Sequence, residues 1–281
     1  MTDSSAGTVT PLSARIRLSH AYFQRLADAN GIDLLHVKGY AFGEEVFRPG
    51  RSSTDVDVLV RPGHLNRLMY LLQADGWRIL THFETGSIFE HAATLYHPVW
   101  GLTDVHRYFP GIGFADPAAS FEQLWQGRRK KLIAHYPCSL PSLLDCRVIT
   151  VVHSARSKDR YRFDVTYLQQ TLSRQDWSLL RQRAQELDAE LAFDTALGQL
   201  SRHRGQQYYL LWKAASQQVP AYQEWFARIE RRPSIRGKIR VLLQIFTVNN
   251  DHLAMSLGHS PSRGERRQKF FKRFKRLWGK Q

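Results

Sequence analysis

The sequence has few cysteines, few acids and no long apolar run. Its two cysteines, Cys138 and Cys146, stand eight positions apart with no CxxC spacing. That argues against a disulfide framework or a cysteine-built zinc site and fits reduced thiols. No stretch approaches the ~20 apolar residues of a membrane-spanning helix. The longest, such as VLLQIF at 241–246, reads as a piece of a core helix. The opening MTDSSAGTVT lacks the basic start and apolar run of a secretory signal, and residues 1–11 are expected to be disordered. Twenty-five acids face 40 Lys and Arg, a net charge of +15. Such a field attracts polyanions without choosing between nucleic acid, anionic lipid and triphosphate. These absences together predict a cytoplasmic protein, with peripheral attachment at a membrane as an alternative.

Hydrophobic residues make up 43% of the 281, enough for one large domain or two ordinary ones. Leu12, Ile16, Phe23 and Leu26 predict a helix over 12–29, stopped by Asn30-Gly31. IDLLHVKG reads as a short strand ending at Gly39, GYAFGEEVF as a brief helix and RPGRSS as a turn. The segment 61–76 has Pro near its start, an apolar side and Gly at its end, and predicts a helix. WRILTHF, HAATLYHP and LTDVHRYF read as strands, the last two paired around PVWG. From about Asp116 most segments have helical period, with 176–200 the clearest. The expected fold is α/β with a small mixed sheet over 12–115, then a mainly helical domain over 116–262 and a basic tail over 263–281.

RSSTDVDVLV at 51–60 poses a physical problem. A strand there sends Val56, Val58 and Val60 to one face and Asp55, Asp57 and Leu59 to the other. Two neighbouring carboxylates near a core need a cation: Lys, Arg, or a hard ion such as Mg2+. Asp104, in a second alternating strand, shares a face with His106 and Tyr108. If the two strands are neighbours, three carboxylates converge, enough to hold metal for phosphoryl chemistry. The bland alternative is the solvated face of an antiparallel sheet.

The flanks add a resemblance. LLHVKGYAFGEEVFRPGRSSTDVDVLV, then ADGW, a His and LTDVHRYF resemble the signature of the uncharacterised nucleotidyltransferase family of bacteria, within the polymerase-β-like nucleotidyltransferase superfamily. The likeness is good over residues 34 to about 110 and weaker through His153 and Asp164. It implies that Asp55, Asp57 and Asp104 bind Mg2+ or Mn2+, with Asp104 also helping to activate the acceptor hydroxyl. It implies that Lys38, Gly39 and Arg51 serve the phosphates, with His106 grouped among the nucleotide-binding residues. One departure is that KGYAFG has no serine after Gly39, where the wider superfamily has a Gly-Ser pair.

Other candidates weigh less. His91 and His106 read first as hydrogen-bonded structural residues, and His97 as a turn residue. His153 and Ser157, like Arg160 and Asp164, are four apart and read as a helix surface or as a helix lining the cleft. In the tail, Phe270, Phe271, Phe274, Leu277 and Trp278 fall on one helical face, and residues 263–280 hold nine Lys or Arg against one Glu. That face suits docking on the protein itself, an RNA backbone or an anionic membrane. The expected function is metal-dependent transfer of a nucleoside monophosphate from a nucleoside triphosphate to an acceptor hydroxyl. A polyanionic acceptor such as tRNA is favoured, with a growth-inhibiting toxin or a surface-polysaccharide transferase as settings. The alternatives are a degenerate fold that binds nucleotide, RNA or membrane without chemistry, and a metal-free salt-bridge network with Lys38, Arg51 or Arg107.

Overall fold

The computed structural model describes residues 10–113, 116–156, 162–232, 234–245 and 247–278. Helix α1 (Leu12–Ala29) turns Ile16, Phe23 and Ala27 inward, and Asn30 Nδ2 donates to the Leu26 carbonyl at its end. A five-stranded sheet follows: β1 (Leu34–His36), β2 (Asp55–Val60), β3 (Arg78–Thr81), β4 (Ala92–His97) and β5 (Gly101–His106), in the order β1-β2-β5-β4-β3. Strands β2 and β5 are parallel and the other pairs antiparallel. Between strands lie α2 (Leu65–Ala74) and the short α3 (Phe83–Gly86). Strand β1 stops short of Gly39, and GYAFGEEVF forms two 3-10 turns rather than one helix.

The two sheet faces bury different partners, as the alternation in β2 requires. Val56, Val58 and Val60 pack with Ile16 and Phe23 of α1, Leu68 and Leu72 of α2, and Trp77. Leu59, on the face of the two aspartates, joins a second core with Phe121 of α4 (Pro117–Gln126), Val148 and Val152 of α5 (Leu143–Ser154), and Phe193 and Trp212 from later helices. The remaining helices are α6 (Arg162–Thr171), α7 (Arg174–Glu186), α8 (Glu190–Ala196), α9 (Tyr209–Ser216), α10 (Ala221–Glu230), α11 (Ile235–Ile245), α12 (Asn250–Leu257) and α13 (Arg263–Trp278). No helix among the described residues is long and apolar enough to cross a membrane.

The second half is mainly helical, as expected, with two details that the helical period did not show. A hairpin, β6 (Arg129–Ile133) and β7 (Tyr136–Leu140), interrupts the helical region and packs on α1 and β1. Its two-residue turn, Ala134-His135, has positive φ at both positions without the Gly or Asn that normally marks such a turn. The segment 176–200 is not one helix. It breaks after Glu186, where Asp188 takes φ 50° and the Ala189 amide donates to the Ala184 carbonyl at 2.7 Å, a Schellman closure made without glycine. Cys138 and Cys146 are free and buried, and burial pushes both thiols up to about 12, so they remain protonated.

Trp212, 1% exposed, is the largest fully buried side chain among the described residues, and its indole is tilted 49° to the Phe89 ring at 4.9 Å between centroids. Trp212→Ala is expected to lower the unfolding free energy by about 3–5 kcal/mol, read by denaturant titration. A loss below about 1 kcal/mol would mean that the second core does not depend on it.

Candidate active site

The parallel pairing of β2 and β5 sets Asp57 directly opposite Asp104, with Asp55 opposite Leu102 and Leu59 opposite His106. Asp57, Asp104 and His106 form a group whose potential ligand atoms all lie within 4.8 Å of one another. Asp55 lies outside that group, two residues along β2 on the same face, and shares a cavity of about 390 Å³ with Asp57. Tyr108, expected on the face of Asp104, lies beyond the end of β5 and donates to the Phe89 carbonyl.

Asp57 is 3% exposed and would be unstable as a lone charge. Two groups solve this. Lys38 Nζ stands 2.5 Å from Asp57 Oδ1, and His106 Nε2 lies 2.9 Å from the same oxygen. Burial pushes the Asp57 carboxyl up, but the Lys38 ammonium and the His106 hydrogen bond outweigh it and hold it well below the usual range. Burial keeps His106 below its ordinary value despite Asp57, so at neutral pH it is an uncharged imidazole donating from Nε2. Asp104 takes a hydrogen bond from Thr94 Oγ1 at 2.7 Å, from its register partner on β4.

The cavity rises from Asp55 and Asp57 between the sheet and the second-half helices. Lys38, Arg48 and Arg51 supply positive charge, and Ser52, Ser53 and Thr54 supply hydroxyls. His153 of α5 and Phe163 and Asp164 of α6 form the opposite wall. Arg51 Nε pairs with Asp164 at 2.9 Å, and its guanidinium lies 3.8 Å over the Phe47 ring. Gly39, at φ 60°, is required twice over: a Cβ there would come within 2.7 Å of Ser53 Oγ. Ser53 thus sets a hydroxyl beside Gly39, and it donates to the Asp55 carbonyl at 3.0 Å.

The remaining candidates fall around this centre. His91 and His153 both contact Arg156, at 2.8 and 3.0 Å, and burial holds both well below their ordinary range. They are neutral acceptors for a guanidinium. His97 closes the β4–β5 turn, accepting from the Val99 amide at 3.2 Å. Of the three cations considered for an ion-pair network, Arg107 pairs with Glu84 at 3.2 Å and Arg51 with Asp164, while Lys38 reaches the strand acid Asp57. Ser157, Lys158 and Arg160 lie outside the described residues, as do the side chains of Phe274, Leu277 and Trp278. Sequence reading missed Ser53 and Thr94. The first sits in a polar run with no motif spacing, and the second is a single threonine in an alternating strand.

The donor set fits a divalent cation. Two carboxylates supply hard oxygens, which Mg2+ and Mn2+ prefer, and the imidazole is already engaged in orienting one of them. A mixed sheet with paired aspartates on its central parallel strands, beside a cationic and hydroxyl-lined cavity, places the chain among the nucleotidyltransferases. More narrowly, residues 17–204 match the profile of the uncharacterised nucleotidyltransferase family, and the chain belongs to that family. No curated protein matches the sequence. Similar solved structures include lincosamide antibiotic adenylyltransferase LnuA with lincomycin bound, 13% identical over 60% of this chain and 96% of that one, TM-score 0.35. They also include the antibiotic-resistance factor ANT(2'')-Ia, 15% identical over 68% of this chain and 97% of that one, TM-score 0.41. A third is an antigenic nucleotidyltransferase-like protein from Paracoccidioides brasiliensis, 18% identical over 75% of this chain and 98% of that one, TM-score 0.38.

Asp55 provides a pH test. Burial and the adjacent Asp57 charge raise its carboxyl from 3.8 to about 6, against the pull of Lys38. The folded state therefore holds a proton that the unfolded chain has released, and this stability is lost as pH rises through about 6. Asp55→Asn cannot ionise. It is expected to match the wild type in thermal stability at about pH 4 and to exceed it by about 1–3 kcal/mol at about pH 7. Equal stability at both pH values would contradict the placement of Asp55 beside Asp57.

Proposed function

We propose that the protein transfers a nucleoside monophosphate from a nucleoside triphosphate to an acceptor hydroxyl, releasing diphosphate. The register of Asp57 against Asp104 beside the cationic cavity carries this reading. Asp57 and Asp104, with Asp55 beside them, would hold Mg2+ or Mn2+, which would supply positive charge to the triphosphate and acidify the acceptor hydroxyl. The chain's own groups do the rest. Lys38, Arg48 and Arg51 neutralise the polyphosphate, and the Gly39 and Ser53 corner lets backbone and hydroxyl approach it. Phe163, two-thirds exposed with Arg48 5.8 Å over its ring, offers a flat face for the base. Asp104, oriented by Thr94, takes the acceptor proton, and His106 keeps Asp57 turned toward the site. Transfer of this kind rests on positioning and charge neutralisation more than on covalent work by the protein. The net charge of +15 supports a polyanionic acceptor of the tRNA class.

The Lys38–Asp57 pair favours a second reading. It neutralises the most buried of the three strand carboxylates without metal, which a non-catalytic nucleotide binder would also need. Incubation with each α-³²P-labelled nucleoside triphosphate, Mg2+ or Mn2+, total RNA and protein extract separates the two. Label is expected on a macromolecule, RNA first. Asp104→Asn, folded by circular dichroism, should reduce it by at least about 100-fold. Nucleotide that binds but never transfers label to RNA, protein or water would leave the non-catalytic reading standing.

A further inference from the structure

Helix α11 is amphipathic the wrong way round for a soluble surface. Among the described side chains its inward side is Gly237, Val241 and Gln244, and of these Val241 is apolar and buried. The opposite side carries Ile235, Ile239, Leu242 and Leu243, which are 77%, 50%, 45% and 62% exposed. At 100° per residue these four fall within one arc of about 100°, centred opposite the packed side. Arg236 and Arg240 flank that arc on one side and Lys238 on the other, all three exposed. Helix α10, which packs against α11, adds exposed Tyr222 and Phe226 one turn apart. An outward aliphatic stripe between rows of cations is a surface built for another phase.

We infer that α11 is a docking element for an anionic lipid surface, its apolar stripe entering the headgroup boundary and its cations meeting the lipid charge. The three natural rivals fit less well. A second copy of the chain would bring the same flanking cations and another +15 against them. An RNA backbone would engage the Arg and Lys but leave four aliphatic side chains wet, since bases are bound by stacking on aromatic or guanidinium planes. A protein partner would have to be acidic around a hydrophobic strip, a demand that a phosphatidylserine-containing bilayer meets without shape matching. Helix α13 points the same way. Phe271 is 58% exposed, and Lys269 and Lys272 are exposed beside it, so this part of the tail also sets an apolar side chain between cations. Membrane attachment through one stripe is marginal, and a second basic segment is what makes it stable. This inference does not depend on the proposed reaction, because among the described residues none of α10, α11 or α13 lines the carboxylate cavity.

The test is flotation of the full chain with vesicles of phosphatidylcholine alone and of phosphatidylcholine with phosphatidylserine. We expect it to float with the mixed vesicles, weakening with added salt, and to stay below with the neutral ones. Ile239→Ser with Leu243→Ser should reduce flotation by at least about tenfold, while nucleotide binding is unchanged. Both positions face solvent, so the fold should survive the change. Arg236→Gln with Arg240→Gln should lose most of the preference for the mixed vesicles. Three outcomes would overturn the inference. One is no flotation with either vesicle. Another is flotation that the serine pair leaves untouched, which would assign binding to the tail charge alone. The third is absence of flotation together with a dimer that the serine pair dissolves, or with tRNA binding that the glutamine pair abolishes, which would assign the stripe to a second copy or to RNA.

Discussion

One carboxylate organises the site. Asp57 is buried on a central parallel strand, across from Asp104 and two residues from Asp55. Three acids at that density repel, and an isolated buried carboxylate is costly. Lys38 and His106 converge on one Asp57 oxygen and make the arrangement stable. Breaking such a buried pair by removing one partner typically costs about 3–5 kcal/mol, because the other charge is left unpaired. The route of the chain from β1 through Lys38 into the Gly39 turn is therefore tied to the charge on β2.

The same constraint shapes what surrounds it. The turn after Lys38 must double back close to the strand, and Gly39 allows this while bringing Ser53 against it. Arg51 is held away from the strand acids by Asp164, more than a hundred positions on, so the cations of the cavity are divided rather than collapsed onto the carboxylates. Neutral His91 and His153 around Arg156 hold a further guanidinium beside the same wall. The result is a small negative centre inside a positive cavity, which suits a divalent cation and a polyphosphate together.

Much of the first half was legible because period and spacing act locally. Val56, Val58 and Val60 are fully buried as their alternation required, and β2, β4 and β5 fall where the sequence placed them. The convergence of Asp57 and Asp104 was legible as soon as their strands were taken as neighbours. Separation of Asp55 from the tight metal-ligating group was not, since side-chain direction on one face is decided by Lys38 and Ser53 rather than by period. Long-range pairings such as Arg51–Asp164 leave no local pattern. The β6–β7 hairpin and the break at Asp188 stayed hidden because both use left-handed non-glycine residues, so the usual punctuation is missing. The stretch VLLQIF, read as a piece of a core helix, shows the limit of apolar runs: Leu242 and Leu243 are exposed, and only the fold says which face of a helix is covered.

The central claim is that Asp57 and Asp104 together hold a divalent cation at the polyphosphate. Electron paramagnetic resonance of Mn2+ in the presence of a non-hydrolysable nucleoside triphosphate measures this directly, without reference to turnover. The account predicts a protein-bound Mn2+ signal that requires the nucleotide and is lost in Asp104→Asn while the fold is retained. An unchanged signal in Asp104→Asn, or no bound Mn2+ in the wild type with nucleotide present, would contradict it.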